Sequence, residues 1–229
     1  MSSIIQNSIN NLEYMLISAL RRATQETKPR IGFLHGHGEL TWPQTQRVRA
    51  LISPYFNIAD ITINDSVHAL ENLDGLIIAQ PRKRFSDKDL FLIDQFIMRG
   101  GRLMCFLDQL KLNTDTLEST GTAHTTRYSD IRLDRMLFDY GLKINDNYIM
   151  DARCLPKQVP LAKQAMIPWF FNVMASPTTH PITRNVEPVN LEYTSEIQFV
   201  GNNKNIRLTP ILTSSTNSTA TGLAPMVNL

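Results

Sequence analysis

The sequence is short of most features that would announce an activity. It holds two cysteines, Cys105 and Cys154. Two cannot build a disulfide framework or a four-cysteine zinc site, and whether they form one bridge stays open. No apolar run approaches the ~20 residues that span a bilayer; the longest are a handful of residues, such as Leu76 to Ala79. Residues 1–30 carry polar side chains throughout their length and lack the apolar block of a secretory signal. Neither charge dominates: 23 basic side chains face 21 acidic ones, for a net charge of +2. That balance gives no electrostatic case for nucleic acid or an anionic membrane surface. No GxxxxGK[ST] loop and no GxSxG elbow occur, so a P-loop ATPase and an elbow-type serine hydrolase find no support.

What is present is ordinary globular composition, with 42% hydrophobic and 19% charged residues, enough to bury a core. Ile5, Ile9, Leu12, Leu16, Ala19 and Ala23 recur at three- and four-residue steps, which predicts an amphipathic helix from Ile4 to about Thr24. Strand and helix signals then alternate. Arg30 to Leu34 reads as a strand, and Thr41 to Ser53 as a helix opened by Thr41, Pro43 and Gln44. Phe56 to Ile63 and Gly75 to Ala79 read as strands. A helix capped near Ser86 closes at Gly100-Gly101, ahead of a strand from Leu103 to Leu107. This alternation predicts an α/β fold, a mostly parallel sheet flanked by helices, over about residues 30 to 110. The threonine-rich stretch Lys111 to Asp130 reads as a long loop. Ile131 to Tyr140 reads as a helix and Asn147 to Met150 as a strand. After Asp151 prolines accumulate and helical periodicity stops, which predicts a strand-rich C-terminal extension. The expected division is an N-terminal helix over 1–29, an α/β core over 30–151, the extension over 152–213 and a poorly ordered tail over 214–229.

Chemistry-bearing residues gather at the predicted strand ends, where open parallel sheets bind ligands. The Gly36-His37-Gly38 turn lacks the third glycine of a dinucleotide fingerprint, because Thr41 stands there. A tight strand-to-helix turn is the better reading. His35, His37 and Glu39 alternate, and in extended backbone they share one side. They suit zinc by type, but no second ligand pair is evident, so lining a polar cleft is preferred and no metal or cofactor is expected. Arg82-Lys83-Arg84 reads as a solvated loop, and Cys105 as a buried structural thiol. Glu39, Asp108 and Asp151 each follow a predicted strand and are the residues an acid–base enzyme would use. The candidate ligand-binding set is therefore His35, Gly36, His37, Gly38, Glu39 and Asp108, with no catalytic residue assigned.

Several segments together resemble the gliding-motility-associated ABC-transporter auxiliary proteins, the GldG-like group. They are Ile5-Gln6-Asn7 with Ile9 to Tyr14, Lys28-Pro29-Arg30-Ile31, and Gly36-His37-Gly38-Glu39-Leu40. Ile77 to Pro81, Leu92 to Phe96 through Gly100-Gly101-Arg102, Tyr140 to Ile144, Ile149-Met150-Asp151 and His180-Pro181-Ile182 follow in order. The resemblance spans about residues 4 to 213. It implies a flavodoxin-like or class I glutamine-amidotransferase-like domain, similar also to a domain of intraflagellar-transport proteins. It implies a longer, membrane-anchored protein, with this domain on the periplasmic side and attached to the membrane only through segments absent from this chain. Permease and ATPase subunits would be its partners. The expectation is a non-catalytic binding or scaffold domain, with room for a small-molecule or carbohydrate ligand. The alternative is a hydrolase or transferase that uses the strand-end carboxylates.

Overall fold

A computed structural model describes residues 12, 15–64, 66–128, 130–159, 165–201 and 205–229. They divide into two compact units. The first holds the residues up to Pro81 with Asp87–Phe106, and the second holds Arg82–Ser86 with Leu107–Leu229.

The first unit is the predicted α/β layer. Strands β1 (Arg30–Leu34), β2 (Asn57–Ile61), β3 (Gly75–Ala79) and β4 (Arg102–Phe106) form one sheet in the order β2-β1-β3-β4. Every pair in it is parallel. Helix α1 covers residues 15–24, α2 is Trp42–Ile52 between β1 and β2, and α3 is Asp87–Met98 between β3 and β4. All five residues of β3, a central strand of the sheet, are buried. Pro43 lies in the first turn of α2, and the Gln44 carboxamide takes the Thr41 N–H at 2.8 Å, as the sequence signal required. Phe33, Ile77 and Ala79 pack with Ile52 of α2.

The N-terminal helix departs from its expected orientation. Ser18 is its buried residue, Arg21 lies over the rings of Tyr55 and Phe56, and the Gln25 amide donates to the Tyr55 carbonyl. Leu12, Leu16 and Leu20 are more than half exposed. The helix thus docks through its polar side, because spacing marks an apolar stripe without naming what the stripe meets. Ile4, Ile5 and Ile9 lie outside the described residues.

The second unit is mostly antiparallel. The expected loop at 111–130 is instead β5 (Leu110–Leu112), α4 (Thr114–Thr120) and β6 (Thr122–Arg127). Asn113 caps α4 by accepting the Thr116 N–H, and Gly121 closes it at φ 80°. Of the threonines that suggested a loop, Thr114, Thr116 and Thr120 lie in α4 and the others in β6, where Ala123 and Thr125 alternate inward. Helix α5 (Leu133–Asp139) leads to β7 (Leu142–Ile144) and β8 (Ile149–Asp151), and among the described residues no helix follows. Next come β9 (Cys154–Val159), the long β10 (Ala165–Pro177), β11 (Val189–Glu192), β12 (Ile197–Phe199) and β13 (Leu212–Thr213).

Residues 214–229, expected as a poorly ordered tail, carry β14 (Ser218–Ala220) and β15 (Met226–Asn228), which pair with β8 and β6. Val227 is 1% exposed and joins Leu117, Tyr148, Trp169 and Phe171 in the core. The tail lacks a periodic signal because its strands are three residues long, too short to display one.

Candidate functional site

The Gly36–Glu39 turn leaves the C-terminal end of β1. Gly36 has φ 123° and Gly38 φ 76°, conformations a Cβ disfavours, so both glycines are there for the turn. The Leu40 N–H then reaches the Ala79 carbonyl and ties the turn to β3.

Two ionic clusters form on this edge. In the first, Asp60 Oδ1, at the end of β2, takes Arg49 Nη2 at 2.6 Å and faces His35 Nε2 at 2.8 Å. Arg49 is 7% exposed, donates Nε–H to Thr45 Oγ1, and lies 3.9 Å from the Phe33 ring centroid. Burial opposes ionisation of Asp60, but Arg49 and His35 outweigh it and hold the carboxyl below its usual range. Asp60 is the acid a dinucleotide site would use for a ribose, and here it is engaged within the protein.

In the second cluster His37 stands between two carboxylates. Its Nδ1 is 3.2 Å from Glu39 Oε1 and its Nε2 is 3.2 Å from Asp89 Oδ2. Glu39 Oε2 also takes the His37 backbone N–H at 2.7 Å. The Glu39 side chain is 2% exposed. Burial works against the imidazolium, yet hydrogen bonds and charge from Glu39 and Asp89 prevail and raise the His37 pKa above its ordinary value. Asp89 lies in the first turn of α3, where the helix dipole favours an anion. The clamp therefore joins the β1 turn to α3. Sequence reading singled out His35, His37 and Glu39 but missed Arg49 and Asp89. Asp89 had a signal, as an acid just inside a capped helix. Arg49 had none, since it lies on α2 and its partner Asp60 on β2. Gln80 was also missed; at the end of β3 it has φ 54°, and its N–H donates to the Phe106 carbonyl.

The other candidate carboxylates belong to the second unit. Asp108 lies near Tyr148, whose hydroxyl pKa is raised by burial first and by Asp108 second. Asp151 is 1% exposed. Its Oδ2 takes the Ser215 N–H at 2.7 Å, and its Oδ1 takes the Ser215 hydroxyl at 2.5 Å and the Arg153 N–H at 2.8 Å. Burial opposes its charge, but these bonds win and depress its pKa. It organises the turn that leads to β14. Cys105 and Cys154 are both free thiols. Burial pushes the Cys105 pKa up to about 12, which suppresses the thiolate at neutral pH. Arg84 pairs with Asp130 at 3.6 Å. Among the described residues no group of three acids, histidines or cysteines is disposed to hold a metal ion.

Comparison with known proteins places these features in a family. Residues 28–227 match the model of the family described as an ABC-type uncharacterized transport system, and the chain belongs to that family. An uncharacterized protein of Borreliella burgdorferi is 22% identical over 227 residues, covering 93% of this chain and 42% of the relative. The chain thus spans less than half the length of that curated relative. Among solved structures the mmIFT52 N-terminal domain is similar, with a TM-score of 0.58, 13% identity, and coverage of 82% of this chain and 74% of that one. At that identity the likeness is one of fold.

Proposed function

We propose, taking membership of the ABC-type uncharacterized transport system family as the premise, that this chain is a non-catalytic binding or scaffold domain of an auxiliary subunit. In this reading it lies on the extracytoplasmic side of the membrane, serves a system linked to gliding motility, and meets permease and ATPase subunits. The β2-β1-β3-β4 order is read as the start of a flavodoxin-like sheet.

The observation that carries the non-catalytic part is the engagement of the strand-end side chains with one another. His37 stands between Glu39 and Asp89, whose hydrogen bonds and charge favour its protonated form, and Asp60 is held by Arg49 and His35. A general base needs a neutral, accessible nitrogen or a free carboxylate, and these groups are committed elsewhere. Asp151 spends its oxygens on Ser215 and Arg153. The exposed parts of His35 and Asp60, at 30% and 53% of their side chains, leave a polar rim for contact with a ligand or partner.

Three experiments test the reading. The whole protein, tagged and extracted from membranes in mild detergent, should bring down a permease and an ATPase subunit. Recovery without either subunit refutes the scaffold role. Alkaline phosphatase fused after residue 229 should be active in intact cells, since that enzyme matures only outside the cytoplasm. An inactive, expressed fusion refutes the location. Loss of the gene should abolish surface spreading, and unchanged spreading removes the link to motility.

A further inference from the structure

Away from the turn, the first unit contains a trough with a chemical character of its own. Residues in register on parallel neighbours present their side chains to the same face. Phe33, Ile77 and Met104 are aligned in this way, as are Ile31, Gly75 and Arg102, and also Ala79 and Phe106. Helix α2 covers this face over β1 and β2, where Ile52 packs with Phe33 and Arg49 lies over the same ring. Beyond β3 the cover ends, and Met104 and Phe106 are 55% and 56% exposed.

Near the N-terminal ends of β1, β3 and β4 this face forms a cavity of about 460 Å³, floored by Ile31, Gly75, Ile77 and Met104 and walled by Pro29 and Phe56. The volume lies in the range of small-molecule sites. Gly75 contributes no side chain, and a Cβ built there would have its nearest neighbour at 3.5 Å, so the depth of the trough is space a side chain could occupy. Arg21 and Arg102 also line it. Arg21 lies over the rings of Tyr55 and Phe56, 5.6 and 6.0 Å from their centroids, and among the described residues neither arginine pairs with a carboxylate. Asp74, the acid of the lining, gives Oδ2 to the Arg30 N–H at 2.7 Å.

We propose that this trough binds a free, single-chain anionic amphiphile, its apolar chain along Ile31, Ile77 and Met104 and its anionic head between Arg21 and Arg102. Two guanidinium groups beside an apolar floor select a ligand that is apolar along its length and negative at one end. A purely apolar ligand leaves the arginines without counter-charge, and a small anion leaves the floor wet. Guanidinium presents planar paired donors that suit carboxylate, sulfate or phosphate alike. The site lies at the opposite end of the strands from the His37 turn, and it stands whether or not the transport reading holds.

Laurate, titrated into the whole chain below its micellar concentration and followed by calorimetry, is the probe. Dodecyltrimethylammonium supplies the same chain with a positive head, acetate supplies the head without the chain, and phosphatidylglycerol vesicles supply the head in a bilayer. Laurate should bind at least tenfold tighter than dodecyltrimethylammonium, and acetate should not bind measurably. Shortening the acid should weaken binding about fourfold per methylene removed from the trough. Arg21→Gln and Arg102→Gln should each weaken laurate by about tenfold or more, the loss expected for a hydrogen bond to a charged group. Gly75→Val should fill the trough and abolish binding with the thermal transition retained. Should that variant fail to fold, Arg102→Gln, at an exposed position, decides alone. Equal binding of the two amphiphiles, laurate binding indifferent to both arginine variants, or binding to vesicles without binding to laurate would each overturn the proposal.

Discussion

His37→Ala removes the centre of the clamp at the β1 turn, and the structure sets the size of the effect. Two charge-assisted hydrogen bonds vanish, both at 3.2 Å and therefore near the weak end of their class. At about 1.5 kcal/mol each the loss is about 3 kcal/mol. The same figure follows from the other side, since breaking a buried pair and leaving its carboxylates uncompensated costs about 3–5 kcal/mol. Glu39 keeps the backbone N–H of residue 37, which favours the lower value. For a chain of 229 residues about 3 kcal/mol corresponds to a fall in Tm of about 6–12 °C. The pH dependence separates a charged clamp from mere packing. The folded-state pKa of His37 is raised above 6.5, so its stabilisation is fully present below that pH. It is lost as pH rises through the higher folded value. Urea unfolding of wild type and His37→Ala between pH 5.5 and 9 should therefore show a stability difference that is largest at the acid end and shrinks as the imidazole deprotonates. A difference that stays constant across that range, or one below about 1 kcal/mol at pH 5.5, refutes the ionic clamp.

Asp151→Asn should destabilise by about 2–3 kcal/mol, because a buried acceptor of the Ser215 and Arg153 donors loses its charge. Its pKa is depressed, so that contribution is present above the ordinary carboxylate value and disappears as pH falls through the folded value; the variant's acid-unfolding curve should be flatter than wild type in that window. Gly101→Val should cost about 1–3 kcal/mol in urea melts, since a Cβ at Gly101 would clash with the Phe96 ring. Cys105, half-buried and with its pKa pushed up to about 12, should react with a thiol-specific disulfide reagent at pH 8 far more slowly than a small-molecule thiol; fast labelling of native protein would contradict the raised pKa.

The first unit was legible in the sequence because its elements are long enough to carry a period and are bounded by strong punctuation. Gly75–Ala79, the Thr41-Pro43-Gln44 start and the Gly100-Gly101 stop all fall where local chemistry puts them. The second unit was not, because its strands are short and its pairings are remote. Residues 226–228 pair with 122–124, and nothing local to either segment announces the other. The candidate site divides along the same line. His35, His37 and Glu39 could be picked out because they crowd one turn, whereas Arg49 and Asp89 become part of it only through the parallel sheet that brings β2 and α3 beside β1. What spacing could not show was the use of these groups. Alternating His-x-His-x-Glu reads equally as ligands waiting for a guest or as charges holding one another, and the choice turns on whether each charge already has an opposite within reach. Here the imidazole of His37 has a carboxylate at each nitrogen, which braces the turn, while His35 and Asp60 keep an exposed rim. Arg21 and Arg102, unremarkable in the sequence and without a carboxylate partner among the described residues, mark where a bound anion would be gained.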